Sequence, residues 1–136
     1  MTSSAWALQT AVRALLEADA GLIAVMGNPP RIYDHVPDGA ALPYVRFGDW
    51  KVDDNDTDDA RIDSHVFMIE VASSYAGLKQ AKAIAVVIEQ ALHGAALSLD
   101  GYMLVDLSYV AAAFGQDRIQ GIAQASLRFR ALTQAS

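Results

Sequence analysis

The sequence has no cysteine, which excludes disulfides, zinc–thiolate centres and cysteine nucleophiles and suits a reducing compartment. Proline is scarce, and all four copies fall between residues 29 and 43. Basic residues are outnumbered, ten Lys and Arg against sixteen Asp and Glu, for a net charge of −6. That balance argues against a nucleic-acid reader, which normally shows a basic face. No apolar run approaches the roughly 20 residues of a membrane span. The opening MTSSAWALQT lacks the basic and long apolar segments of a signal peptide, so the expectation is a protein made and kept in the cytoplasm until it joins a larger particle. Familiar catalytic signatures are also missing: there is no G-x-S-x-G, P-loop, G-x-G-x-x-G or H-E-x-x-H. His35, His65 and His93 share no motif.

A chain of 136 residues is expected to form one domain, residues 1–136, and it can bury roughly 65–70% of its unfolded surface. Its hydrophobic fraction of 53% is rich in alanine, so the core is expected to be ordinary in bulk. Residues 31–50, RIYDHVPDGAALPYVRFGDW, organise the pattern. They read as a short strand at 32–35, a turn at Pro37-Asp38-Gly39, and a strand at 43–50 in which Val45 and Phe47 oppose Tyr44 and Arg46. Before them, Ser3 and Ser4 can cap a helix over 5–18, with Leu8, Val12, Leu15 and Leu16 on one face. Asp19 can cap a short helix over 20–26 that Gly27 ends.

After them, residues 51–63 read as an extended, mobile polar loop. Residues 64–72 alternate: His65, Phe67, Ile69 and Val71 share one face, and Ser64, Val66, Met68 and Glu70 the half-apolar other. Ser73 and Ser74 then suit the cap of a helix over 75–93, with Leu78, Ala81, Ala85, Ile88 and Leu92 repeating at helical spacing. Gly94 ends it. Asp100-Gly101 signals a hairpin between 97–99 and 102–113, with Met103, Val105, Leu107 and Tyr109 on the core face. A turn at 115–118 leads to a last strand over 119–132, with Ala125, Leu127, Phe129 and Ala131 inward and Gln124, Ser126, Arg128 and Arg130 outward. The order is α-α-β-β-β-α-β-β-β. Hairpin-length connections predict an α+β fold, a mainly antiparallel sheet with helices packed on one face.

The residues offer little chemistry. Asp54, Asp56 and Asp58 match the first three odd positions of a calcium-binding EF-hand loop. Asp59 stands where that loop needs glycine, however, and His65 where it needs a bidentate glutamate. A solvated loop is the better reading, and no catalytic, cofactor or metal residues are assigned. Candidate contact residues are Trp50, the aspartates Asp53, Asp54, Asp56, Asp58 and Asp59, the half-apolar pair Val66 and Met68, and the arginines Arg128 and Arg130. Aromatics at element ends and arginines on an open strand face are common interface anchors. A small-molecule enzyme or ligand-binding domain using the face of Arg128, Arg130 and Tyr44 stays open at this point.

The chain resembles the tail-terminator or tail-completion proteins of long-tailed bacteriophages and gene transfer agents. The resemblance is carried by LQTAVRALLEADAGLIAVMG, IYDHVPDGAALPYVRFG, the acidic loop, SSYAGLKQAKAIA, LHGAALSLDGYMLVDL and the terminal RFRAL. It implies a structural virion protein without enzymatic activity or cofactor. It also implies self-assembly into a hexameric ring, which caps the head-proximal end of the tail tube and joins it to the head connector, DNA passing through the lumen. The partners so implied are the protein itself, the tail tube protein and the connector or stopper protein, with no membrane. Membership of another connector ring, the stopper, is the alternative within the same class. The dense aspartates of the acidic loop depart from the family pattern.

Overall fold

A computed structural model describes residues 2–74 and 77–136. The elements follow the order α1 (Ser4–Ala18), α2 (Ala20–Met26), β1 (Ile32–Tyr33), β2 (Tyr44–Asp54), β3 (Ile62–Ser74), α3 (Lys79–Leu92), β4 (Ser98–Leu99), β5 (Tyr102–Asp117) and β6 (Ile122–Ala135). The six strands form one sheet in the order β1-β2-β3-β6-β5-β4. All pairs are antiparallel except β1 with β2.

Local chemistry sets the helices. The Ser3 hydroxyl accepts from the Trp6 N–H and starts α1. Asp19 serves two helices. Its backbone N–H closes α1 on the Leu16 carbonyl, and its carboxylate accepts the Leu22 N–H to open α2. Gly27, at φ 105°, ends α2 in a conformation costly for any side chain. The start of α3 departs from expectation. Ser73 and Ser74 belong to β3, the helix begins at Lys79 behind Leu78 without a side-chain cap, and the expected first turn at Tyr75 and Ala76 lies outside the described residues.

All three helices cover one sheet face. Leu8, Val12, Leu16, Leu22, Ile84, Ile88 and Leu92 meet Val45, Phe47, Phe67, Ile69, Val71, Leu127 and Phe129 in one buried cluster. The alternation read from β3 and β6 places those residues as expected. It fails on β5, where the ladder slips between Leu104 and Asp106 and again between Tyr109 and Ala111. Each bulge shifts the phase of the side chains. Met103 and Val105 are therefore exposed, while Leu104, Leu107, Tyr109 and Ala112 face the core.

The stretch 31–50 is also corrected in part. β1 has two residues and runs parallel to β2 instead of forming a hairpin with it. Residues 34–43 make the return, and Arg31 pins it: Nε donates to the carbonyls of Ala41 at 3.1 Å and Pro43 at 3.2 Å, and Nη2 to Leu42 at 3.2 Å.

Candidate assembly surface

With every helix on one side, the opposite face of β2, β3, β6 and β5 has no covering element among the described residues. Its cross-strand rows follow from the register. Lys51, Val66, Arg130 and Ser108 form one; Met68, Arg128 and Ala111 lie in the next. Val66, Arg128 and Arg130 are exposed and Met68 is half-buried. The structure thus brings four of the expected contact residues into one patch. Sequence reading missed the pair in the following row. There the Arg46 guanidinium lies against Glu70, whose Oε2 is sealed from solvent and meets it as an ion pair without hydrogen-bond geometry. The alternation that placed Arg46 and Glu70 on the outward face would have found them. The cavity they line with Tyr44, Ala72, Gln124 and Ser126 holds about 40 Å³. Ligand pockets run from about 300 Å³ upward, so this one takes a water and not a metabolite.

Asp54, Asp56, Asp58 and Asp59 sit beyond that patch, at one end of the sheet, while Asp53 borders it, its carboxylate 3.4 Å from the Lys51 ammonium. The expected 51–63 loop is instead a long hairpin. β2 continues through Asp53 and Asp54, opposite Ser64 and Asp63. Only residues 55–61 turn, and local bonds close the turn despite the charge. Asn55 N–H donates to Ile62 O at 2.8 Å and Thr57 N–H to Ala60 O at 2.9 Å. Asp54 Oδ1 accepts from Asp56 N–H at 2.8 Å, and Asp56 Oδ1 from Ile62 N–H at 2.7 Å. Asp56 is therefore a turn-forming residue, while Asp58 and Asp59 are exposed.

Trp50 lies within β2 and not at an element's end. The ladder slips between Phe47 and Trp50, which turns the indole to the helix-covered side. It stacks on Phe67 at 4.2 Å between centroids and 10° between planes. Its Nε1–H donates to His65 Nδ1 at 3.0 Å. An accepting Nδ1 assigns the proton to Nε2, which donates to Thr133 Oγ1 at 3.0 Å. Burial lowers the His65 pKa below its ordinary value; the nearby Asp63 carboxylate pulls weakly the other way. Asp63 itself accepts from Ser4 Oγ at 2.6 Å, tying the start of α1 to β3.

At the far end of the sheet, residues 118–121 join β5 to β6. Asp117 Oδ1 accepts from the N–H groups of Ile119 at 3.0 Å and Gln120 at 3.1 Å. This leaves Ile119 at the tip, 99% exposed. Among the described residues no three His, Asp or Glu side chains gather as a metal would require. No helix among them is long and apolar enough to cross a membrane.

Residues 10–134 match the family described as Tail completion protein gp17. This chain belongs to that family. Among solved structures it is similar to a chain from the virion of a native gene transfer agent particle, at 34% identity and a TM-score of 0.88, covering 99% of this chain and 100% of that one. A comparison with curated proteins returns no match. Membership makes this tail completion protein a structural component of a phage-like tail, as the resemblance implied.

Proposed function

We propose that this tail completion protein is the terminator of a phage-like tail, a ring that caps the head-proximal end of the tail tube and joins it to the head connector. The family match over residues 10–134 carries the reading. The likeness to a virion chain over the full length supports it. In this reading the whole chain, residues 1–136, acts as one domain without catalytic turnover or cofactor. Its partners are five further copies of itself, the tube protein and the connector, with DNA crossing the lumen. Assembly takes place in the cytoplasm, and the protein then resides in the particle tail.

The fold supplies surfaces suited to this work. A ring needs two unlike patches per subunit that meet head to tail. The uncovered sheet face bears Val66, Met68, Arg128 and Arg130, and the acidic hairpin bears Asp53, Asp54, Asp58 and Asp59. We assign both to contacts with neighbouring subunits or rings, Asp56 shaping the turn that presents the others. Trp50 fixes β2 against Phe67. Each subunit contact is expected to bury about 800 Å² per partner or more. The test is the symmetry and position of this protein in micrographs of assembled tails. A six-fold layer between tube and connector is expected. A layer on the connector's head side would favour the stopper reading, and a monomer or dimer there would overturn the ring.

A further inference from the structure

The sheet ends in two free edges, and they are of matching length. On the outer side of β5, β4 covers only Tyr102 and Met103. The turn after α3 covers the next part: Gly94 N–H donates to Leu107 O at 2.8 Å, and Tyr109 N–H to His93 Nδ1 at 3.1 Å. Beyond Tyr109 no described residue pairs with this edge. In an antiparallel ladder, backbone groups point alternately toward and away from the partner. The outward carbonyl of Leu107 and N–H of Tyr109 fix the phase. Leu107 and Tyr109 oppose Ala131 and Phe129, so the later partners of odd-numbered β6 residues also point outward. These are Ala112, Phe114 and Gln116, opposite Leu127, Ala125 and Ala123.

On the other side of the sheet, β1 covers β2 only at Val45 and Arg46, where Val45 N–H donates outward to Arg31 O at 2.8 Å. The same alternation leaves Trp50, Val52 and Asp54 pointing outward, opposite Phe67, His65 and Asp63. Each edge thus offers three alternating sets of donor and acceptor.

Natural proteins blunt free edges because they template further strands. The bulges of β5 and the turn after α3 protect only its first half. Its unprotected half is also apolar: Val110 and Phe114 are exposed, and Ile119 stands at its tip. Lys82 lies 5.4 Å over the Phe114 ring, and Val86, one turn further along α3, is exposed.

We infer that the outer edge of β5, from Ala112 to Gln116, pairs with the outer edge of β2, from Trp50 to Asp54, in a second copy of this chain. β2 and β6 run in one direction and β3 and β5 in the other, so a rotated neighbour presents its β2 antiparallel to β5. Phe114 lies level with Ala125 of β6 and Val52 level with Ala131, so the joint staggers the neighbour by six residues, about 20 Å, and the ring axis is inclined to the strands, as in a barrel. The alternation of the sheet then continues from subunit to subunit. Unlike edges meeting head to tail close into rings, whereas β5 meeting β5 would stop at a two-fold dimer. The inference rests on the ring reading and specifies its joint.

The test is a micrograph of assembled tails at a resolution that traces strands, together with the variant Gln116→Pro. Strand separations of about 4.8 Å between β5 of one copy and β2 of the next are expected. Gln116→Pro deletes one outward N–H and leaves the bonds to β6, and the preceding Gly115 tolerates proline's steric demand. It should weaken subunit association by about tenfold, as one lost ladder bond would. A ring in which these edges face solvent or another protein overturns the joint and leaves the ring reading standing. A two-fold dimer, or no oligomer, overturns both. If Gln116→Pro fails to fold, the strand trace of the unaltered protein decides alone.

Discussion

β3 and β6 have two faces built from the same strands in the same ladder, and they do different work. On one side Phe67, Ile69, Leu127 and Phe129 lie under the helices with almost no exposure. On the other, one residue along, Val66, Met68, Arg128 and Arg130 meet no covering element among the described residues. Burial of large side chains contributes about 1.5–3 kcal/mol each, whereas exposed charges contribute a few tenths. The covered face therefore holds the fold and the uncovered face is free to serve assembly. A substitution's cost should depend on which face it touches and very little on which strand.

The largest break in that contrast is Phe67→Ala. Phe67 stacks between Trp50 at 4.2 Å and Phe129 at 5.6 Å, so its loss opens a cavity in the middle of the sheet. A cost of about 3–5 kcal/mol is expected in chemical denaturation. Next comes Trp50→Phe, which keeps a ring on Phe67 but leaves His65 Nδ1 without its donor, at about 1–3 kcal/mol.

The same histidine makes stability depend on pH. Its folded pKa lies below the unfolded 6.5, so the unfolded chain binds the proton more readily. This part of the stability is fully present above 6.5 and is lost as pH falls through that value toward the folded pKa. Melting temperature followed between pH 7.5 and 5 should fall for the native protein and fall less for His65→Gln; identical slopes would remove His65 from the account.

Smaller effects are expected at the acidic hairpin. Asp56→Asn weakens the acceptor for the Ile62 N–H and the ion pair with Arg61, costing about 1 kcal/mol. Asp58→Asn with Asp59→Asn should change stability by less than about 0.5 kcal/mol and reduce the yield of tails joined to heads. The smallest effect on folding belongs to Arg128→Ser with Arg130→Ser. Thermal unfolding should be unchanged within about 0.5 kcal/mol while assembled tails decline. Normal particle yield would return these arginines to a merely solvated face.

Much of this was legible in the chain. The α+β class, both faces of β3 and β6, and the helix stripe Ala81, Ala85, Ile88 and Leu92 follow from periodicity, because each lies in an uninterrupted ladder or helix. The failures occur where a ladder slips. The bulges in β5 moved Met103 and Val105 outward, and the one in β2 turned Trp50 inward. A bulge adds a residue without changing composition, so hydrophobic alternation carries no mark of it. The helix-like capping pair Ser73 and Ser74 extends β3 instead, since Ala123 and Ile122 lie opposite and continue the ladder. The aspartate run suggested an open loop because its charge is visible in the sequence, whereas the backbone bonds to Asp54 and Asp56 that fold the turn are not.

β3 reaches from the acidic turn, where Ile62 follows Arg61, to the opposite end, where Ser74 lies beside Ile122 and the Ile119 tip. Its 13 residues span about 43 Å. Charge is screened over about 8 Å in physiological salt. The two ends are therefore electrically deaf to one another. An event at the aspartates can reach the apolar tip only as a mechanical displacement, passed along a strand bonded to β6 over its whole length and to β2 over most of it. The molecule is in that respect a stiff strut, with chemically unlike feet that bear load together and choose their contacts separately.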